Sequence, residues 1–305
     1  MYIFIVNPTS GSGKGKKKYH QISKSKHFSQ IDSRCFFTAY SGHAEEIAQR
    51  LRTDFSEPVT CVIVIAGDGT MHEVLNGLGS SSYSVAYIPA GSGNDFARGC
   101  QINGSPVKIF ERIINDSRSQ PYWLGTFHTN HSTDRYFINN IGFGFDAEIS
   151  ETVNRSVYKK MLNKVGLGKI SYIIALILVL LRYKPMNLEI TADGRRRKLR
   201  GCWMLTITNH PYYGGGMKII PGAAIQPGKL PVLVIHSISK WKVLALFMTV
   251  FTGKHVRFKE VELFQAERLE IKPERKIVYQ TDGQTDECSF CVMTKQTEHI
   301  KVMGI

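Results

Sequence analysis

No apolar run in this 305-residue chain is long enough to cross a bilayer. The longest, Ile170 to Leu181 (ISYIIALILVLL), falls short of the roughly 20 residues that a spanning helix needs, even with Val165 and Leu167 added before it. It predicts a buried or interfacial helix over 165–182. The exit, Arg182-Tyr183-Lys184-Pro185, is basic and aromatic, a composition that suits a membrane surface. Acidic residues are scarce: 25 Asp and Glu stand against 39 Lys and Arg, a formal charge of +14. That deficit points to anionic partners, whether a nucleotide, a nucleic acid or an acidic membrane. Two clusters, Lys14 to Lys18 and Arg195 to Arg200, supply much of it and read as solvated loops or as contact patches. No helix-turn-helix, zinc finger or aromatic ribonucleoprotein motif accompanies the charge, which argues against nucleic acid. Cysteine is sparse and scattered. Cys288 and Cys291 form a C-x-x-C with no second pair to complete a zinc site, and Cys61 adjoins an apolar strand. The first residues, MYIFIVNP, read as a short strand reaching a turn and not as a signal peptide, so reduced thiols in a cytoplasmic protein are expected. There is no internal repeat and no low-complexity tract.

What is present alternates. Strands are predicted at Tyr2 to Val6, Cys35 to Thr38, Val59 to Ile65 and Val85 to Ile88, with helices over Lys16 to Ser25, over His43 to Arg52 and from Thr70. This predicts an α/β domain with a mostly parallel sheet, over 1–122. From residue 123 to 289 short strands dominate, among them Tyr136 to Ile141, Met186 to Ala192, Cys202 to Thr208, Leu230 to His236 and Ile277 to Thr281. That texture predicts a β-sandwich, with helices only at 165–182 and 240–251. The tail, 290–305, is expected to pack back on the first domain.

Three strands of the first domain run into glycine-bearing loops: Asn7-Pro8-Thr9-Ser10-Gly11, Gly67-Asp68-Gly69-Thr70 and Gly91-Ser92-Gly93-Asn94-Asp95. In an open parallel sheet such loops meet at one crevice. Neither G-x-x-x-x-G-K-[ST] nor, in this region, G-x-G-x-x-G occurs, which excludes the standard nucleotide loops. Glycine turns and helix N-termini suit phosphate, yet Asp68 and Asp95 would repel it. A Mg²⁺ ion between carboxylates and phosphates resolves the conflict, with Asp68 acting through water. The bland alternative for Asp68 is a turn residue capping the next helix.

The motif set NPTSGSGK (7–14), GDGTMHEVLNG (67–77), PAGSGNDFAR (89–98) and TDGQTDE (281–287) resembles the diacylglycerol kinase catalytic family, which includes bacterial soluble lipid kinases and sphingosine kinases. The resemblance runs over nearly the whole chain. It implies an α/β domain of the NAD-kinase and phosphofructokinase type plus a C-terminal β-sandwich domain, with ATP and a lipid hydroxyl meeting in an inter-domain cleft. By resemblance Asn7, Pro8, Thr9, Ser10, Gly11, Thr38, Gly67, Asp68, Gly69, Thr70, Glu73, Gly91, Ser92, Gly93 and Asn94 surround the nucleotide. Asp68 and Asp95 serve the metal and the transfer, and Asp282 is the candidate base for the acceptor hydroxyl. The local alternative for Asp282 is a hairpin turn. Three departures stand out: Ala66 replaces a glycine, Gln284 replaces a glutamate in the late D-G-E, and Pro231 replaces an aspartate that holds a structural Mg²⁺, so that metal site is expected to be absent. The expected activity is transfer of the γ-phosphate of ATP to a membrane lipid, diacylglycerol by default, at an anionic bilayer surface. A soluble hydroxyl acceptor and a binding protein with little turnover are the alternatives. Homo-oligomerisation is left open.

Overall fold

β3 (Cys61–Ala66) is buried along its whole length, which requires helices on both faces and neighbours on both edges. The computed structural model supplies both. It describes all residues except 56, 80, 81, 116, 117, 131, 132 and 156–167, and no side chains at 168–173. The chain divides into two units, 1–124 with 298–305, and 125–297.

In the first unit β1 (Tyr2–Val6), β2 (Ser33–Phe37), β3 and β4 (Val85–Pro89) are parallel, in the order β2-β1-β3-β4. The chain's last strand, β19 (Ile300–Met303), extends the sheet parallel to β4, and β5 (Ser119–Tyr122) closes it antiparallel. Helices α1 (Ser10–Ser23), α2 (His43–Thr53), α3 (Asp68–Leu78), α4 (Asp95–Gly99) and α5 (Pro106–Asn115) connect the strands. The strand order reverses between β1 and β3, so their carboxyl ends flank a topological switch point.

The second unit holds β6 (Gly125–Thr129), β7 (Arg135–Phe137), β8 (Asn140–Gly144), α6 (Phe145–Arg155), α7 (Gly168–Arg182), β9 (Met186–Ala192) and β10 (Arg195–Thr208). After them come β11 (Tyr212–Tyr213), β12 (Met217–Lys218), β13 (Leu230–His236), α8 (Lys240–Thr249), β14 (Val261–Ala266), β15 (Arg268–Pro273), β16 (Ile277–Thr281), β17 (Gln284–Cys288) and β18 (Cys291–Lys295). One antiparallel sheet, β17-β16-β8-β10-β9-β15-β18-β6-β7, folds over a core that includes Phe143, Leu205, Ile271 and Met293. β10 makes the fold possible: Arg195 to Leu199 pair with β9, a register shift follows, and Met204 to Thr208 pair with β8 and β13. The outcome is the expected α/β domain and β-sandwich-like domain.

Several details differ from the sequence reading. Arg195 to Arg200 lie on a strand, not a loop, and within it Arg195 to Lys198 are all exposed while Leu199 is buried. Two of them are ion-paired, Arg196 with Glu189 at 2.6 Å and Arg197 with Glu262 at 2.7 Å. Lys14 to Lys18 ride on α1. The single strand expected at Tyr136 to Ile141 is two, β7 and β8. The helix α6 was not foreseen. Of the tail, only residues 298–305 join the first unit, while β18 belongs to the sandwich. Val165 and Leu167 lie outside the described residues. All six cysteines are free, and Cys61, Cys288 and Cys291 are buried.

Candidate functional site

The three glycine loops meet and are bonded to one another. Asn7 Oδ1 accepts from the Thr9 amide (3.1 Å), the Thr9 hydroxyl (2.9 Å) and the Ser10 amide (3.2 Å), an Asx turn that closes the first loop. Asn7 Nδ2 donates to the Thr70 hydroxyl at 3.0 Å, and the Gly67 amide donates to Ser10 Oγ at 3.2 Å. Gly11 to Gly13 then run through the left-handed region, with φ of 56°, 59° and 91°. A Cβ on Gly11 would stand 2.2 Å from the Ala90 carbonyl oxygen, so the first loop touches the third through bare backbone. The second and third touch as closely: a Cβ on Gly91 would lie 2.6 Å from Gly67 Cα. Asn94, at φ 55°, folds the third loop by accepting from the Gly91 amide (2.8 Å) and donating to the Gly91 carbonyl (3.0 Å). Lys18 donates to the Pro89 carbonyl, so the basic cluster is not wholly solvated, and its burial beside Lys14 pulls its pKa down.

The carboxylates are engaged within this frame. Asp68 accepts from the amides of Asp95 and Phe96, both at 3.1 Å. It therefore holds the first residues of α4, not of the helix that it begins. Asp95 is buried and ion-paired with Arg98 at 3.0 Å. Glu73 accepts from the Gly42 amide at 2.9 Å and caps α2, with the Ser41 hydroxyl at 3.5 Å. Thr38 is buried, its amide on the Val6 carbonyl at 2.9 Å. Pro8, Gly69, Ser92 and Gly93 lie in the same loops. Among the described residues no group of three or more His, Cys, Asp or Glu side chains could hold a metal. The oxygens of Asp68, Ser10, Thr70 and Asn94 are hard donors of the kind that hydrated Mg²⁺ accepts, so an ion carried in by phosphates and held through water fits. Ala66 is accommodated: its methyl is buried in β3, and its carbonyl accepts from the Ala90 amide at 2.7 Å.

Asp282 occupies a different setting in the second unit. It has φ 49° and precedes Gly283 at φ 89°, so the pair makes the two-residue hairpin between β16 and β17. Its carboxylate accepts from the amides of Ile138 (2.8 Å), Asn139 (2.8 Å) and Asn140 (3.1 Å). The side chain named as a candidate base also clamps the turn between β7 and β8. Asn139 in turn bonds His210 at 2.8 Å, and burial pulls the imidazole pKa down to about 4. Gln284 is exposed on β17, and Pro231 is buried in β13 opposite Gln265.

A second feature of this unit went unread in the sequence. Asp146, in the run GFGFDAEI, lies in a narrow apolar cavity of about 50 Å³ walled by Phe145, Trp203, Met204, Ile235, Val243 and Phe247. Its Oδ2 accepts from the hydroxyls of Tyr213 (3.2 Å) and Thr206 (3.4 Å), and Oδ1 has no partner. Burial pushes its carboxyl up to about 7, against the pull of the Ala147 amide and of those hydroxyls. Gly142 makes room for it, since a Cβ there would stand 2.0 Å from Oδ2. A carboxylate after a glycine–aromatic run was the available signal. Lys295 is also buried with a partnerless Nζ, and desolvation draws its pKa down to about 8.

Comparison with known proteins accounts for both units. Residues 1–125 match the diacylglycerol kinase catalytic domain, and residues 139–298 match the YegS C-terminal NAD kinase beta sandwich-like domain. A Bacillus subtilis (strain 168) protein named "Putative lipid kinase YtlR" is 30% identical over 288 residues, 93% of each chain. A Mycobacterium tuberculosis (strain CDC 1551 / Oshkosh) protein named diacylglycerol kinase is 28% identical over 269 residues, 88% of this chain and 84% of that one. A crystal structure of a diacylglycerol kinase from Bacillus anthracis str. Sterne superposes with a TM-score of 0.69 at 19% identity, covering 99% of this chain and 96% of that one, which establishes a shared fold. With two family domains in order and a 30% identical relative along nearly its full length, the chain belongs to the lipid kinase family built on the diacylglycerol kinase catalytic domain.

Proposed function

We propose that the protein transfers the γ-phosphate of ATP to the hydroxyl of a membrane lipid, with diacylglycerol as the default acceptor. The observation that carries this is the interlocking of the three glycine loops at the carboxyl ends of β1, β3 and β4. Such an edge brings backbone amides against phosphate oxygens while Asp68 stays within the same frame. Phosphoryl transfer asks mainly for alignment and neutralisation of charge. Mg²⁺, when bound with the nucleotide, would neutralise the phosphates beside Asp68. Family membership supports a lipid as the acceptor class.

The second unit favours a lipid over a soluble acceptor. Around Asp146 the walls are aromatic and aliphatic, with the carboxyl and the Tyr213 hydroxyl bonded to it as the polar groups among them. Such a lining suits a greasy ligand with a single hydroxyl and would strand the several hydroxyls of a sugar. At about 50 Å³ the cavity holds only a water or two, so admitting a lipid requires one of its walls to shift outward. The little-turnover reading draws on the engagement of Asp282 with three backbone amides. One experiment separates these readings. The protein is incubated with radiolabelled ATP, Mg²⁺ and a total membrane lipid extract, and the products are resolved by chromatography. Label in a lipid spot, lost in Asp68→Asn, is expected; nucleotide binding with no labelled lipid would leave a binding protein.

A further inference from the structure

α7 and α8 carry apolar side chains on faces that the described residues leave exposed. On α7, Ala175, Leu176, Val179 and Leu180 are buried, while Ile174, Ile177, Leu178 and Leu181 are exposed, the last at 65%. The exposed set falls at i, i+3, i+4 and i+7, one helical stripe, which on a solvent-facing helix is normally polar. α8 repeats the pattern. Val243 and Leu246 point inward, whereas Trp241 (77%) and Met248 (73%), and Phe251 (56%) in the turn that follows, point outward. Among the described residues, these two segments hold most of the large apolar side chains that face solvent. Lys240 Nζ donates to the Leu181 carbonyl at 2.8 Å, so the end of α7 and the start of α8 are adjacent and the most exposed residues of each flank one bond.

Charge identifies the occupant. Residues 168–185 and 237–259 contain no Asp or Glu, while Arg182, Lys184, Lys240, Lys254, Arg257 and Lys259 are exposed among them. Glu260, next in sequence, is buried and already neutralised by Lys242 at 2.5 Å, so the exposed charge along these segments is cationic, and a greasy stripe with that border fits the boundary between anionic headgroups and acyl chains. It does not fit a second copy, because two such faces would bring like charges together without counter-ions. No helix among the described residues is long and apolar enough to cross a membrane, which leaves an in-plane contact for these two.

The geometry points to the α7–α8 face as the surface by which this protein docks on anionic bilayers, with Trp241, Met248, Phe251 and Leu181 entering the acyl boundary. This rests on the lipid-kinase reading for its purpose but not for its detection. The helix that docks is the helix that walls the Asp146 cavity: Val243, Leu246, Phe247 and Val250 line it from within. Docking therefore places one wall of that cavity at the bilayer surface.

The test uses the full chain and vesicles of phosphatidylcholine, alone or with phosphatidylglycerol, in a sedimentation assay with tryptophan emission read in parallel. Partition onto the anionic vesicles is expected, weakening as salt rises, with a blue shift on binding. The triple variant Trp241→Ser, Met248→Ser, Phe251→Ser should lose partition by roughly tenfold or more. It should keep its thermal midpoint and its transfer to a short-chain, detergent-dispersed acceptor. A second variant, Lys254→Glu with Arg257→Glu, should reduce the preference for anionic vesicles. Wild-type partition in both variants overturns the inference, as does a concentration-dependent dimer that the triple variant splits. Vesicle binding without transfer to any acceptor would sink the proposed function and leave the docking face standing.

Discussion

Replacing Asp282 by alanine tests whether that carboxylate braces the fold or takes a proton. The residue accepts three amides, at 2.8, 2.8 and 3.1 Å, from Ile138, Asn139 and Asn140, residues that are 0, 2 and 4% exposed. A buried donor left without a partner costs about 1–3 kcal/mol. Asp282 is half-buried, so water can refill part of the space, and the low end for three donors is about 3 kcal/mol. Alanine at φ 49° adds about 1 kcal/mol of left-handed strain. The sum, about 4 kcal/mol, lowers the midpoint of a unit this size by about 8–16 °C. Asparagine tolerates the left-handed turn and keeps an oxygen for Asn139 and Asn140, stranding only the Ile138 amide, so Asp282→Asn should lose about 1–2 kcal/mol. The assay is thermal and urea unfolding of both variants, followed by domain-specific probes because two units need not unfold together. If Asp282→Ala unfolds like wild type and yet transfers no phosphate, the clamp argument is wrong and the carboxylate acts on the acceptor.

Gly91→Ala places a methyl 2.6 Å from Gly67 Cα, so the loops must part; ATP affinity measured by calorimetric titration should fall at least roughly tenfold, and unchanged affinity would refute the convergence. Titration behaviour should separate two buried groups. Asp146, raised from 3.8 to about 7, makes the folded state bind more protons than the unfolded one, so it lowers stability as pH climbs from about 4 to about 7. His210, lowered from 6.5 to about 4, acts in the opposite direction between those two values. Wild-type stability should therefore be nearly flat from pH 4 to 6.5, while Asp146→Asn should gain stability over that range in urea titrations; a flat variant profile would count against the buried charge. Lys295→Met removes a buried amine whose Nζ has no partner, and should raise stability at pH 7 by about 1–3 kcal/mol. Loss of activity with that gain would show that the amine faces an anionic reactant.

Local patterns carried the architecture. Apolar runs that lead into glycine-bearing loops announced β1, β3 and β4, because a covered strand is apolar nearly throughout and a loop that touches another backbone tolerates no Cβ. The same logic located Asn7, Gly67 and Asn94, whose side chains or bare backbone act within a few residues of themselves. Partners at long separation were not legible. Asp68 holds an amide 27 residues on, and Asp282 clamps one 144 residues back, and no spacing rule encodes either. α6 escaped because its apolar stripe is weak until Val153 and Ile149 meet α7.

The motifs, the deficit of acid and the two apolar helices are all legible in the order of the amino acids alone. They determine the family, the two-unit plan and the chemistry that the chain can attract. Tertiary structure alone decided which carboxylates are committed to backbone amides, that Asp146 is buried beside Gly142, and that α7 and α8 each carry an apolar stripe that the described residues leave exposed. The physical reason is that hydrophobic patterning and turn chemistry act over a few residues, whereas burial and hydrogen-bond pairing of a charge depend on whatever the fold brings against it from elsewhere in the chain.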